Sequence, residues 1–311
     1  MFAIGINQYG DPSVFEQLAK DTPEPKANQV LLKTKAVGIN PYDALLRSGS
    51  QQHDRPLPFP IIPGTDVVGE IAAVGADVTD FKVGQQVINL RPLRGYSEYV
   101  TASTGKIVPL PKGLDLTLAA SLPTAGYAAY NITHHFLPLE AGKTIAIIGA
   151  SGTVGALTTQ IAKSLGLHVI AIGAEKNGDF MSKIGADELG FYDTETVGQK
   201  FENQADYVVN AASGGQDHGM SNMLIKPGRG FIATVGDLAP AVTKAGVRVA
   251  YVHQDKIFST QVALNFLVKL ATTTGLALRI DTPLAFDVAG ITTAHQRIEN
   301  HQTKGHQIAI L

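Results

Sequence analysis

Hydrophobic positions follow two different rhythms along the chain. Up to about residue 120, short Val/Ile-rich runs such as QVLLKTKAVGI, VVGEIAAVG, GQQVINL and YSEYVTAS are separated by Pro and Gly turn signals. That texture predicts a strand-rich, irregular barrel. One stretch within it, PGTDVVGEIAAVG (Pro63 to Gly75), reads as a glycine-punctuated strand pair. From about residue 140 to 255, short continuous apolar runs (TIAIIGA, HVIAIGA, DYVVNAA, GFIATVG) alternate with helical stretches. Parallel strands covered on both faces need such unbroken apolar runs, so this block is expected to be α/β with a parallel sheet. Two helix candidates follow, DKIFSTQVALNFLVKLATTT and GITTAHQRIENHQ, and then a closing strand, HQIAIL.

The chain's 311 residues suffice for two domains with sizeable cores. An apolar fraction of 44% and a charged fraction of 17% describe a soluble globular protein. A net charge of -2 without any basic run argues against a nucleic-acid partner. The start, MFAIGINQYG, lacks the basic residues and apolar core of a signal peptide. No apolar stretch approaches the ~20 residues of a membrane span. A cytoplasmic protein without a membrane partner is therefore expected. Zero cysteines exclude disulfides, thiolate catalysis and Cys-built zinc sites. The histidines do not suggest a metal site either: His134 and His135 are adjacent, and His295 and His301 do not share a helical face. Surface or capping roles are expected for them.

The most informative chemistry lies in TIAIIGASGTVGALTTQIAKSLGLHVIAIGA. A buried strand, Thr144 to Ile148, runs into a turn at Gly149, and Ala150, Gly152 and Gly155 fit the A-x-G-x-x-G dinucleotide fingerprint. Val154, Leu157, Ile161 and Leu165 share one helical face, and a second strand, His168 to Ile172, completes a β-α-β unit. Gly152 lets the backbone approach a pyrophosphate, Gly155 lets the helix pack on the sheet, and Gly152, Thr153 and Val154 offer backbone N–H groups at the helix start. Gly173 stands where an NAD enzyme places its ribose-binding acid, and Lys176 and Asn177 follow. A small residue with a nearby cation and amide suits a 2′-phosphate, so NADPH is expected ahead of NADH, with Glu175 as the contrary sign. Ala211, Ala212, Val235 and Gly236 close later strands, whose carboxyl ends line the ligand crevice in such sheets.

The segments AVGINPYDALLRSG, PGTDVVGEIAAVG, FKVGQQV, GYSEYV, AASLPTAGYAAY, IIGASGTVG, IGADELGFYD and AHQRIENHQTKGHQIAIL occur in an order and spacing that resemble one family. It is the zinc-free quinone oxidoreductase branch of the medium-chain dehydrogenase/reductase superfamily, and the resemblance covers nearly the whole chain. It implies an α/β fold of two parts. A GroES-like catalytic domain would take residues 1–120 and 256–311, and a doubly wound Rossmann NADP(H)-binding domain residues 121–255. It also implies a homodimer, with Val247 to Val252 as the candidate edge strand. The bottom-up alternative for that strand is simply the sixth strand of one sheet.

Asn40, Asp43 and Arg47 match the branch's GxNxxDxxxRxG segment, which implies that Asn40 and Asp43 sit beside nicotinamide and substrate. The same residues also read as a helix start, with Asn40 as N-cap, Pro41 first and Asp43 third. Thr124 matches a position near the nicotinamide, Tyr192 one near the adenosine 2′-phosphate, and Lys304 lies in a terminal segment that touches the cofactor in such enzymes. Arg47, Gln51, Tyr42 and Tyr127 complete the expected substrate side, both tyrosines having packing as the competing reading. Asp43 is expected to orient other groups or to link to Arg47. Ser50-Gln51-Gln52 replaces the branch's aromatic after RSG, and Gly305-His306 replaces its terminal GK.

Thr65-Asp66 stands where zinc-dependent members carry a His-Glu pair that helps hold the metal. Without a Lewis acid, an electron-poor acceptor remains the reasonable hydride target. The reading is an NADPH-dependent quinone reductase, with Asn40 as donor to the developing oxyanion. A reductase of α,β-unsaturated carbonyls is the alternative, and a non-enzymatic NADPH-binding sensor the reading of another class. Metal analysis of the purified protein is expected to find no stoichiometric zinc required for turnover.

Overall fold

A computed structural model describes residues 1–91, 93–236, 240–253 and 257–311. Asp255 and Lys256, which open the first late helix candidate, lie outside them. Contacts divide the chain into two compact units. The first comprises Met1–Thr124, Ser259–Thr273 and Ile280–Leu311, and the second Ala125–Phe258 and Thr274–Arg279. The stretch 256–311, expected to return whole to the first unit, therefore gives up Ile257–Phe258 and Thr274–Arg279 to the second.

Within the first 124 residues lie β1 (Phe2–Gly5), β2 (Glu16–Ala19), β3 (Gln29–Ile39), α1 (Pro41–Ser48), β4 (Asp66–Val74), β5 (Gln86–Leu90), β6 (Tyr99–Ser103), β7 (Ile107–Pro109) and α2 (Leu116–Ser121). The stretch read as a strand pair is one strand, β4, because Gly69 lies inside its ladder opposite Thr34 rather than in a turn. After α3 (Pro123–Asn131), the second unit contributes β8 (Thr144–Ile148), α4 (Thr153–Ser164), β9 (His168–Gly173), α5 (Gly178–Lys183), β10 (Glu188–Phe191), α6 (Val197–Lys200), β11 (Tyr207–Asn210), α7 (Met220–Leu224), β12 (Phe231–Thr234) and β13 (Arg248–Tyr251). The chain closes with α8 (Thr260–Thr273), β14 (Leu284–Ala285), α9 (Val288–Glu299) and β15 (Gln307–Ile310). Among the described residues no helix is long and apolar enough to cross a membrane.

In the first unit a seven-stranded sheet runs β14-β15-β3-β4-β5-β7, with β6 also on β3 and a separate β1–β2 hairpin. The last strand, β15, pairs antiparallel with β3, so both chain ends enter one core. Ile4, Val30, Leu32, Val67, Ile71, Tyr96, Phe286 and Ile291 pack together there.

All six strands of the second unit are parallel, in the order β10-β9-β8-β11-β12-β13. Their unbroken apolar runs have a direct cause. Ile145, Ile147, Val169, Ala171 and Val209 pack on one face of the sheet, while Ala146, Ile148, Ile170, Ile172 and Val208 pack on the other. With period-2 side chains and both faces covered, polar residues such as Thr144, Asn210 and Thr234 stand only at strand ends. Val247 to Val252 contributes β13, the sixth strand, at one edge.

Strand order reverses between β8 and β11, and the ligand crevice of a doubly wound sheet opens at that point. Gly149, directly after β8, has φ +79°, which favours glycine. Gly155, in the first turn of α4, lies so close to the glycine turn that a Cβ would lie 2.3 Å from the Gly149 carbonyl oxygen. Backbone cannot yield there as a flexible side chain would. Gly155→Ala is expected to destabilise the protein by roughly 2–3 kcal/mol, in the range of core overpacking, as read by urea denaturation.

Candidate functional site

The first unit brings several of the expected residues together at the start of α1. Asn40 has extended backbone (φ -111°, ψ 155°), Pro41 follows, and the Asp43 carboxylate accepts from the Asn40 N–H at 2.9 Å. The second Asp43 oxygen accepts from the Gly64 N–H at 3.0 Å. Gly64 has φ +99°, and a Cβ there would lie 2.7 Å from the Tyr96 nitrogen, so this approach also requires glycine. The Tyr96 hydroxyl reaches Asp43 and lies 3.2 Å from His295 Nε2.

A second carboxyl, Asp66, lies at the head of β4. It accepts from the Thr124 N–H at 3.1 Å and from the Thr124 hydroxyl. Thr124 and Thr65 hydroxyls are 2.9 Å apart, and the Asn40 amide nitrogen donates to Thr65 Oγ1 at 3.2 Å and interacts with Asp66 as well. Asn40, Thr65, Thr124 and Asp66 thus form one hydrogen-bonded cluster. The amide nitrogen expected to meet an oxyanion is already engaged within it.

Both carboxyl groups are fully buried. Loss of hydration pushes Asp43 up to about 7, against hydrogen bonds from Asn40 and Gly64 that favour its charged form, with the Asp66 charge adding to the rise. Burial likewise raises Asp66 to about 6, opposed chiefly by its bonds from Thr124.

Arg47 departs from expectation. It is fully buried, and its guanidinium donates to the Gly10 carbonyl and to Glu299, so it is a structural cation rather than a substrate contact, and it does not link to Asp43. His295 and His306 are also corrections to the surface reading: both are buried, which lowers them to about 3 and about 4. Tyr127 is buried and donates to the Phe258 carbonyl at 3.0 Å, and the Tyr42 hydroxyl accepts from Arg55 at 2.7 Å. The carbonyl of half-buried Gln51 accepts from the Arg55 N–H at 2.8 Å, whereas Lys304 is exposed.

In the second unit, a Cβ at Gly152 would meet nothing nearer than 3.4 Å, so the turn is open where a pyrophosphate would approach, and Thr153 and Val154 open α4 directly behind it. Ala211 and Val235 directly follow β11 and β12. Gly149 and Ala211 meet at the switch point, a Cβ on the former falling 2.8 Å from the carbonyl oxygen of the latter. A Cβ at Gly236 would lie 2.3 Å from the Gly215 nitrogen, so that strand end is closely packed. Gly173 ends β9, where a Cβ would lie 2.9 Å from the Met181 sulfur, giving this glycine a packing reason as well. Beyond it Lys176 is exposed, Tyr192 is 56% exposed, and Asn177 donates to Ser151 Oγ at 3.1 Å. These features fit a dinucleotide: an open glycine turn, small residues at strand ends, and polar groups at the end of β9.

Sequence reasoning missed Tyr96, His295, Ser151, Asn210 and Arg279. Asn210, the polar end of an otherwise apolar strand, was the most visible of these; its side chain ties the following loop through Gly215 and Ala212.

Sheet order and the glycine turn define a Rossmann-type second unit, and the first unit is largely antiparallel. Residues 26–112 match the alcohol dehydrogenase GroES-like domain. Quinone oxidoreductase of Sus scrofa is 37% identical over 193 residues, covering 61% of this chain and 58% of the length of that protein. The chloroplast envelope quinone oxidoreductase homolog of Arabidopsis thaliana is 33% identical over 230 residues, 69% of each chain. The solved structure of Escherichia coli quinone oxidoreductase complexed with NADPH shares the fold, with a TM-score of 0.86 at 23% identity over 100% of both chains. The chain belongs to the quinone oxidoreductase branch of the medium-chain dehydrogenase/reductase superfamily.

The buried groups give a pH test with a definite sign. Asp43 and Asp66 bind protons more tightly folded than unfolded, so their contribution to stability is full below the usual value of 3.8 and declines as pH rises through about 6 and about 7. His295 and His306 act oppositely: their contribution is full above 6.5 and is lost as pH falls toward about 4 and about 3. Asp66→Asn removes one declining contribution, so its stability relative to wild type is expected to rise between pH 4 and 7, measured by denaturant unfolding at fixed temperature.

Proposed function

We propose that the protein is a zinc-independent, NADPH-dependent reductase that transfers hydride to a quinone. The observation that carries this reading is the open turn at Gly149–Gly155 on the switch point of the parallel sheet. NADPH in the Escherichia coli structure supports the cofactor choice. A zinc ion does not suit the residues present. Thr65 offers only a hydroxyl, both Asp66 oxygens are bonded by Thr124, and among the described residues no three His, Cys, Asp or Glu side chains converge.

A bound nicotinamide dinucleotide supplies the hydride; the chain's own residues bind and orient. Gly152, Thr153 and Val154 hold the pyrophosphate, while Ala211, Val235 and Gly236 border the crevice. Lys176, Asn177 and Tyr192 serve the adenosine end, with Lys304 as a further contact. Asn40 and Thr124 would serve the nicotinamide end, their side chains held by Thr65 and Asp66. A quinone is electron-poor enough to take hydride after alignment alone, giving a hydroquinone anion that gains one proton from water. Asp66 can hold or release a proton through the Thr124 hydroxyl, and Asp43 keeps the start of α1 in place. Tyr42 and Gln51 border the acceptor. A homodimer through the edge strand β13 belongs to the same reading.

NADPH oxidation is expected with a panel of quinones. Turnover confined to α,β-unsaturated carbonyls would support the alternative reductase, and tight NADPH binding without turnover the sensor reading. Gly152→Ala is expected to keep the wild-type Tm, since its Cβ meets no protein atom closely, yet to lose roughly tenfold in NADPH affinity by filling the pyrophosphate approach.

A further inference from the structure

At the carboxyl end of β9 the second unit holds a cation that comes from far along the chain. Arg279 ends the segment Thr274–Arg279, which belongs to the second unit although its flanks belong to the first. Reciprocal hydrogen bonds fix this segment on α4. Gln160 Nε2 donates to the Ala277 carbonyl at 3.0 Å, and the Ala277 N–H donates to Gln160 Oε1 at 2.9 Å. Leu276 is buried beside them. From this anchored backbone the Arg279 guanidinium donates to Asn177 Oδ1, while Asn177 Nδ2 donates to Ser151 Oγ at 3.1 Å. Ser151 lies in the glycine turn, its hydroxyl 3.5 Å from where a Cβ of Gly173 would sit. Arg279, Asn177 and Ser151 therefore form a chain across the point where a ribose-binding acid would stand in an NAD enzyme.

Two further observations give this cation a purpose beyond bonding one amide. Among the described residues no acidic side chain forms an ion pair with Arg279. A guanidinium has five N–H donors, and the bond to Asn177 takes one. Lys176, the cation expected from sequence, is exposed on the neighbouring loop, where four rotatable bonds and solvent screening weaken its hold on any anion.

We propose that Arg279 is the residue that selects a 2′-phosphorylated dinucleotide, meeting the phosphate monoester of the adenosine ribose with its guanidinium while Asn177 and Ser151 hold that guanidinium in place. This deepens the NADPH reading and rests on it. The planar fork matches phosphate oxygens; the Gln160 clamp holds the backbone that carries Arg279, and Asn177 holds the guanidinium before binding, so less entropy is lost when the anion arrives.

Calorimetric titration of the full chain with 2′,5′-ADP and with 5′-ADP isolates the contribution of the 2′-phosphate. Wild type is expected to prefer 2′,5′-ADP, and to prefer it less as salt rises. Arg279→Met should lose about tenfold or more in affinity for 2′,5′-ADP with 5′-ADP unchanged, the size of a charge-assisted hydrogen bond. Lys176→Met should lose clearly less. Equal binding of the two nucleotides by wild type would overturn the NADPH reading and this inference with it. Discrimination that survives in Arg279→Met, or an equal loss for both nucleotides, would overturn the inference alone. Should Arg279→Met fail to fold, Gln160→Leu, which releases the clamp, and Arg279→Lys, which keeps charge without the fork, carry the same test. Both are expected to narrow the preference, and full retention in both would overturn the proposal.

Discussion

Asp43 and Asp66 are taken out of water entirely, and much of the first unit is arranged to satisfy them. A carboxylate buried without partners would cost several kcal/mol, so every donor that reaches these two becomes a structural constraint. Asp43 fixes the start of α1 through Asn40, the Gly64 turn through its backbone N–H, and Tyr96 through its hydroxyl. Tyr96 in turn meets His295 on α9, so residues near both chain ends answer to one carboxyl group. Asp66 does the same for Thr124 and the Asn40 amide. Arg47 with Glu299 ties α1 directly to α9.

A different constraint governs the second unit. Its strands are apolar on both faces, so polar function is confined to the strand ends and the loops beyond them. The open side of the Gly149–Gly155 turn, the small residues after β11 and β12, and the Ser151–Asn177–Arg279 chain all gather there. Backbone packing leaves no room for a Cβ at Gly155 but room for one at Gly152, which separates the glycine that holds the scaffold from the one whose face is open.

Local patterns were legible wherever one physical requirement selected the residue type. The dinucleotide turn, the continuous strands and the helix start at Asn40-Pro41 were all read from neighbours in sequence. Arg47 was misread because its motif position says nothing about Gly10 and Glu299, which accept its guanidinium hydrogen bonds. His295 was misread because its partner Tyr96 is supplied by a distant segment. The stretch Pro63 to Gly75 was misread because a glycine can serve a turn or a ladder position, and only pairing with β3 and β5 decides which.

Sequence by itself determined the two-part α/β organisation, the glycine turn and the absence of any cysteine-based chemistry, because these depend on periodicity and residue type alone. Tertiary structure decided which polar groups are buried and with whom. It turned Thr65-Asp66 into members of a hydrogen-bonded cluster with Asn40 and Thr124, and it carried Arg279 to the end of β9 from 102 residues beyond Asn177. Desolvation and hydrogen bonding act between groups brought together by folding, and separation along the chain carries no record of either.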